Sequence, residues 1–481
     1  MSITSLLPVT GAELSVPLVQ GGSARYANLD YAASAPALAS VTAHVQQVLP
    51  SYASVHRGAG YASQVCTAAY EAARVDVAGF VGARPDDVVV FTRNTTDALN
   101  LLAGAVPGEV LFLDIEHHAN LLPWRRGAHR VVEAAATAAA TVARVDADLA
   151  VRPAALVAVT GASNVTGELT PLAALAEVAH RHGARLAVDA AQLAPHRRFD
   201  IASLGIDYVA FSGHKLYAPF GAGALVGRPD WLDAAPPYLA GGGAVRSVEL
   251  DGVRWADAPA RHEAGTPNVL GVVALAAACR SLAALPPGAI ETHERALLAL
   301  LTDGLDQIPD ITVHRIWPDA DAVGIVSFSV ARYDCAAVAG YLSAEHGIGV
   351  RDGRFCAHPL LARLGVPAGA VRASLGIGSS LEDVDRLLDA LWQLVSRGPS
   401  WSYTSVDGRC VPSPETRRLP GWLDGSLMGG AGSSPCDPAT ARGSATAPGS
   451  ASTAEPAAAR VWTHDRVPVA APALEPVLLA S

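Results

Sequence analysis

From residue 87 onward, short apolar runs alternate with amphipathic stretches. Residues 87–92 (DVVVFT), 109–114 (EVLFLD), 155–160 (ALVAVT), 185–189 (RLAVD), 207–211 (DYVAF) and 222–226 are nearly unbroken in Val, Leu, Ala and Phe. Helical stretches such as 169–182 separate them. A strand that is apolar on both faces needs cover on both faces, so the pattern predicts an α/β fold: a mostly parallel central sheet with helices on either side. Polar clusters recur where these runs end, at the edge where open α/β sheets place ligands.

Ahead of the sheet, residues 1–25 read as an arm rich in Ser, Gly and Pro. A short strand at 26–31, a helix at 37–49, a loop at 54–60 and a helix at 63–81 follow. The pattern changes near 270. A long helical region runs to about 307, then strand-like 311–315 and 323–330, a helix at 336–346, a strand at 371–375 and a helix at 381–396. The predicted organisation is an N-terminal arm (1–25), a large ligand-binding domain (26–270), a smaller C-terminal α+β domain (271–400), and a low-complexity, disordered tail (401–481).

Composition narrows the functional classes. The 481 residues are half hydrophobic, yet no window of eighteen is strongly apolar without a break, so no membrane span is predicted. The first twenty residues lack a basic stretch ahead of an apolar core, and no secretion signal is read there. A net charge of −10 with no basic run argues against nucleic acid as a partner. The six cysteines show neither CxxC pairs nor metal-finger spacing, which fits a reducing cytoplasm and no metal site.

One residue changes the picture. Lys215, in Phe211-Ser212-Gly213-His214-Lys215-Leu216-Tyr217, is the only lysine; every other basic side chain is arginine. Arginine replaces lysine wherever a charge suffices, but a guanidinium cannot lose its proton and condense with a carbonyl. Schiff-base chemistry is the natural use of such an amine, and pyridoxal 5′-phosphate its usual partner. Other clusters follow strand ends in the same way. Arg93-Asn94-Thr95-Thr96-Asp97 opens a helix whose N-terminus suits a phosphate, or is ordinary capping. Asp189 ends a strand and suits a pyridinium nitrogen, or forms a turn. His117, in Glu116-His117-His118-Ala119-Asn120, suits stacking and proton transfer, or a structural role. Cys356 lies between Arg354 and His358, whose charges favour a thiolate; the alternative is a small buried hydrophobe. Cys66, Cys279 and Cys335 sit in apolar helical contexts and are read as the latter.

Nine motifs in order give the chain a resemblance over about 26–395 to the class V, fold-type I enzymes that use pyridoxal phosphate, most closely to the SufS-type cysteine desulfurases and selenocysteine lyases. They are Leu29-Asp30-Tyr31-Ala32-Ala33-Ser34-Ala35, Val55-His56-Arg57-Gly58, Thr95-Thr96-Asp97, Glu116-His117-His118-Ala119-Asn120, Ser163-Asn164-Val165-Thr166-Gly167, Asp189-Ala190-Ala191-Gln192, Ser212-Gly213-His214-Lys215, Glu263-Ala264-Gly265-Thr266-Pro267-Asn268 and Arg372-Ala373-Ser374-Leu375. The resemblance implies that Lys215 holds the cofactor covalently and moves a proton, that Asp189 pairs with the ring nitrogen, and that His117 stacks on the ring. It puts Gln192 and Asn164 near the phenolic oxygen, and Thr95, Thr96, Ser212 and His214 around the phosphate. Thr266 would reach a phosphate across a homodimer interface. Arg372 would clamp the substrate carboxylate, with Arg351, His56 and Asn164 also near the substrate. Cys356 would take sulfur from L-cysteine as a persulfide, leave L-alanine, and hand the sulfur to an acceptor protein.

Departures cluster around the sulfur chemistry. The usual His-His-Cys-Ala-Met-Pro reads Arg354-Phe355-Cys356-Ala357-His358-Pro359, Gly378-Ser379-Ser380 replaces a Tyr-Asn-Thr-like stretch, Phe220 replaces a small polar residue, and His262 an aromatic one. A class V aminotransferase, epimerase or lyase for another amino acid is the alternative they leave open. Cys410 and Cys436 in the tail are read as persulfide relays or bystanders.

Overall fold

The computed structural model describes residues 3–406 and 408–423. Seven strands form the central sheet: β1 (Val88–Thr92), β2 (Val110–Leu113), β3 (His129–Val132), β4 (Leu156–Thr160), β5 (Arg185–Asp189), β6 (Tyr208–Ser212) and β7 (Gly223–Gly227). Their spatial order is β1-β7-β6-β5-β4-β2-β3, and only β7 runs antiparallel to its neighbours. The alternation of side chains along each strand divides the core in two. Val89, Phe91, Leu111 and Leu113 join the core on one face, while Val90, Val110 and Phe112 join that on the other. That is why the runs are apolar at every position. Helices Ala39–Val48, Tyr61–Phe80 and Val269–Ala283 pack together, while Thr95–Ala103 lies against β6 and β7.

Edge strand β3 was not expected. Its sequence, HRVV, starts with two polar residues, is fully buried only at Val132, and breaks the continuous apolar pattern. The long helical region beyond 270 is two helices. Val269–Ala283 is buried on nearly all sides within the large core, as its all-round apolar surface demands. Pro286-Pro287-Gly288 breaks the chain, Gly288 taking φ +78°, before helix Ala289–Gln307 begins. Helix Val269–Ala283 thus serves the large core, and most buried residues of the helix after the turn, Leu297, Leu301 and Leu305, serve the small one.

The smaller core is built on an antiparallel sheet of β8 (Ile311–His314), β9 (Ile325–Val330), β10 (Arg351–Gly353) and β11 (Ala370–Ser374), ordered β8-β9-β11-β10. Helices Ala289–Gln307, Cys335–His346 and Leu381–Arg397 supply its apolar partners. Strand β10 is short and polar, and no apolar run announced it; its register sets Arg351 opposite Arg372. The N-terminal arm touches both cores, Val9 joining the large one and Val19 the small one. Ser15–Pro17 and Ser23–Arg25 form a hairpin, Ala27–Asn28 pairs in parallel with Ile348–Gly349, and Val19, Ala27 and Leu29 enter the small core.

The tail also needs correcting. Disorder was expected from 401, but β12 (Tyr403–Val406) and β13 (Arg409–Pro412) form a hairpin against helix Cys335–His346. The anchor is Glu345, which accepts hydrogen bonds from the Ser400 amide (2.9 Å), the Trp401 amide (3.2 Å) and the Tyr403 hydroxyl (2.9 Å). Averaging composition over 81 residues hid two aromatic anchors, Trp401 and Tyr403, whose buried acceptor lies outside that stretch. Burial pushes the Cys410 thiol in β13 up to about 12, which keeps it protonated. Residues 424–481, with Cys436, lie outside the described residues. Among the described residues no helix is long and apolar enough to cross a membrane.

Replacing Glu345 by Ala strands four donors at once, the Ser400 hydroxyl among them. Chemical denaturation should show a loss of about 2–3 kcal/mol, against about 1 kcal/mol for Tyr403→Phe, with protease cutting beginning near Ser400.

Candidate active site

Five strand ends and the two-stranded edge of the small sheet converge on one cavity of about 260 Å³. At the end of β1 the chain turns into helix Thr95–Ala103. The Asn94 side chain caps it by accepting the Asp97 amide (2.9 Å), and the Asp97 carboxylate accepts from Arg93 (2.7 Å) and from the Tyr238 hydroxyl (2.7 Å). The Thr95 amide donates to Ser212 Oγ across the sheet (2.7 Å), and the two hydroxyls share a 2.6 Å bond. Strand β7 lies between them and leaves room because position 223 is glycine; a Cβ there would come within 2.8 Å of the Asn94 backbone. Thr96 completes this rim. A helix N-terminus ringed by hydroxyls is a site for an anion.

Asp189 ends β5 and is buried, one oxygen accepting the Ala191 amide (3.0 Å). Burial pushes its carboxyl up, while the Ala191 N–H and the Lys215 charge draw it back. Gln192 donates to the Ala32 carbonyl (2.8 Å), leaving its own buried oxygen without a partner. His117, beyond β2, accepts the Ala119 amide at Nδ1 (3.0 Å), so its proton sits on Nε2. Burial, and then the Lys215 charge, lowers its pKa to about 3, and the ring is neutral at physiological pH.

Lys215 follows β6 in a loop turned by Tyr217 at φ +59°. Burial brings its pKa down to about 8; Asp189 and Cys356 oppose that shift, and Arg372 and Arg351 reinforce it. His214 beside it is lowered to about 4 by burial and by the lysine charge.

The opposite wall comes from the small sheet: Arg351 on β10, Arg372 on β11, and the loop carrying Phe355 and Cys356. Phe355 (φ +50°) and Cys356 (φ +53°) are consecutive left-handed residues, a conformation that costs free energy and persists only when held. The Phe355 carbonyl accepts from Asn164 Nδ2 (2.9 Å) and the Cys356 carbonyl from the His118 amide (2.8 Å). The Arg372 guanidinium lies 5.2 Å from the Phe355 ring centre.

The cavity therefore gathers all but two of the residues that the sequence singled out. His56 is exposed, its ring 3.1 Å from the Glu71 carboxylate, and it does not line the cavity. Its neighbour Arg57 instead ties down the Gly242 and Gly265 carbonyls (2.8 and 3.0 Å). Thr266 is exposed next to that tie and likewise lies outside the cavity of its own chain. Two residues escaped attention. Asn94 was seen only as part of a helix start. Asp30 lay within a recognised motif without a role, and here bonds to Arg372 (3.0 Å).

Comparison with known proteins agrees with this arrangement. Residues 27–387 match the aminotransferase class-V family. A cysteine desulfurase of Dickeya dadantii is 38% identical over 383 residues, spanning 76% of this chain and 92% of that protein. A probable cysteine desulfurase of Vibrio cholerae is 37% identical over 355 residues, spanning 71% and 87%. The crystal structure of the Escherichia coli cysteine desulfurase CsdA superposes with a TM-score of 0.69 at 36% identity, over 77% of this chain and 95% of that one. A cysteine desulfurase from Thermococcus onnurineus gives a TM-score of 0.72 at 34% identity, over 77% and 94%. With the sheet, the strand-end lysine and these relatives in agreement, the chain belongs to the class V aminotransferase family, in its cysteine desulfurase branch.

Proposed function

We propose that this protein is a pyridoxal 5′-phosphate-dependent cysteine desulfurase that moves sulfur from L-cysteine to Cys356 and releases L-alanine. The observation that carries the reading is that one cavity holds an amine of pKa about 8, a buried arginine and a cysteine.

The residues present fit the cofactor. The Thr95–Ala103 N-terminus with Thr96, Ser212 and His214 suits its phosphate, the buried Asp189 its ring nitrogen, and the unpartnered Gln192 oxygen a hydroxyl donor. Bound there, pyridoxal phosphate supplies an electron sink for the substrate's α-carbon. Lys215 supplies the amine that anchors it and a base that carries a proton at Nζ. Neutral His117 offers a flat face and an Nε2 proton without adding charge. Arg372 and Arg351 orient the amino acid by its carboxylate. Cys356, facing the same space, takes the substrate sulfur: the C–S bond breaks, an S–S bond forms at Sγ, and the carbon skeleton gains a proton and leaves as alanine. The persulfide then passes to a thiol acceptor, which we take to be a protein. Exposed Thr266, next to the loop tied by Arg57, suits a phosphate contact in a second copy, so we take the working form as a homodimer in the cytoplasm.

Two results test this. Cys356→Ala should keep the bound cofactor's visible absorbance yet lose at least about a hundredfold in joint release of alanine and sulfide from L-cysteine. Full activity in that variant would remove Cys356 from the sulfur path, and a bound cofactor with no turnover of L-cysteine in the unaltered protein would favour the reading as an aminotransferase, epimerase or lyase for another amino acid. For protein stripped of cofactor, capture of added pyridoxal phosphate needs the neutral amine, a fraction of about one in ten at pH 7 when the pKa is near 8. The capture rate should rise about tenfold from pH 7 to 9 and then level, whereas an ordinary lysine would keep gaining beyond pH 10.

A further inference from the structure

Cys356 has ionisable neighbours that the chemistry so far leaves without a role. The Ala357 amide donates to the Arg354 carbonyl (2.9 Å), closing a tight turn over 354–357. Its two central residues, Phe355 and Cys356, are left-handed, as in the mirror-image turns that favour Asn and Gly. The turn presents Cys356 to the cavity and leaves its carbonyl to the His118 amide (2.8 Å). The His118 ring meets the His358 ring edge to face, with centres 4.5 Å apart. His118, His358 and Arg354 are half-buried, and none of them lines the cavity. His358 Nε2 and Arg354 Nε are enclosed without hydrogen-bond partners, where a purely structural cluster would have paired them. His358 and Arg354 are also two of the departures from the family pattern, standing where Met and His are usual.

Resting on the reading of Cys356 as the sulfur carrier, we propose that His118 is the base for the second half of the reaction, in which the persulfide passes to a thiol. The acceptor thiol gives its proton to a His118 ring nitrogen, and its sulfur bonds to the terminal sulfur of the persulfide. The S–S bond at Cys356 breaks with its electron pair on Sγ, and the proton ends there. The acceptor leaves as the persulfide, and nothing is oxidised or reduced overall. A base must be neutral to accept a proton. Burial, then the charges of His358 and Arg354, lowers the pKa of His118 below that of an ordinary imidazole, so its ring is neutral at physiological pH. His358 is lowered in turn by burial and by Arg354. The turn that carries His118 adds His117, neutral with its ring centre 6.3 Å away, and Glu116, which burial keeps protonated. His358 and Arg354 act through His118 and are positioning residues. Lys215 and the arginines thus serve Cys356 within the cavity, and His118 serves it from outside.

The test uses the full-length holoenzyme and times the two halves separately. The first is the burst of L-alanine from one turnover of L-cysteine. The second is sulfide release when dithiothreitol, whose second thiol frees the transferred sulfur, is added to the loaded enzyme. His118→Asn removes the ring and keeps the backbone amide that holds Cys356. It should leave the burst within about twofold and slow sulfide release about a hundredfold, as loss of a positioned base does. The ratio of unaltered to His118→Asn release rates cancels the acceptor's own ionisation, and it should fall toward one from about pH 8 to about pH 5 as the ring takes a proton. His358→Met keeps His118 but removes a neighbouring positive charge, which raises the pKa of His118. Its release rate should therefore fall at higher pH than that of the unaltered protein, a comparison that does not depend on His118→Asn folding. Equal losses in burst and release, or a ratio that ignores pH, mark a structural role and overturn the proposal, as does an unmoved profile in His358→Met. No burst in the unaltered protein sinks the reading of Cys356 and the proposal together. A normal burst with unchanged release in His118→Asn sinks the role of His118 alone.

Discussion

Withholding water from one amine organises this molecule. Lys215 stands where the sheet ends, among two guanidiniums and two carboxylates, and loses enough hydration that its proton is weakly held. A charged lysine in such a place is costly, and the structure balances rather than removes the charge: Asp189 below, Asp30 beyond, Arg351 and Arg372 across. Each neighbour is buried or half-buried, so each moves the others' protons. His117 and His214 are neutral for the same reason that the lysine is reactive.

Holding charges from two sheets in register needs ties between them. The segment from Asp30 to Ala35 runs through the seam and bonds to both sides. Ala32 accepts from Gln192 and donates to Ser374, and the Ala35 amide donates to the His214 carbonyl (2.8 Å). A second tie runs from the Ile377 amide to the Tyr217 hydroxyl (3.0 Å), so the lysine loop and the arginine strand are fastened to each other within a few residues of their working groups. Glu294 adds a buried ion pair with Arg197 (2.9 Å) and a bond to His196 farther along the seam.

Much of this was legible in the residue order. Runs apolar at every position announced a covered sheet, and six of its seven strands lie where those runs predicted. The solitary Lys215 pointed to the chemistry before any fold was known. What stayed hidden has physical reasons. Strands β3 and β10 lie at sheet edges and carry polar residues, so periodicity could not reveal them. Helix Val269–Ala283 is apolar all round and gave no sign of which core it served. The hairpin after Ser400 depends on Glu345, more than fifty positions away, and no local pattern records such a contact. Asp30 was visible in its motif, but its bond to Arg372 spans 342 positions of the chain.

That distance bears on how the protein comes into being. Ala27–Asn28 is a strand only when Ile348–Gly349 is present to pair with it, and Val19 and Leu29 are buried only by helices that follow residue 288. Residues 19–29 must therefore wait for partners more than 250 positions later, while the contiguous stretch between them can collapse around its own sheet. The strand ends around Lys215 come from residues 88–215, and the arginine wall and the cysteine follow more than a hundred residues later. The protein thus acquires its reactivity in a late closure, when residues 27–30 meet residues 348–374.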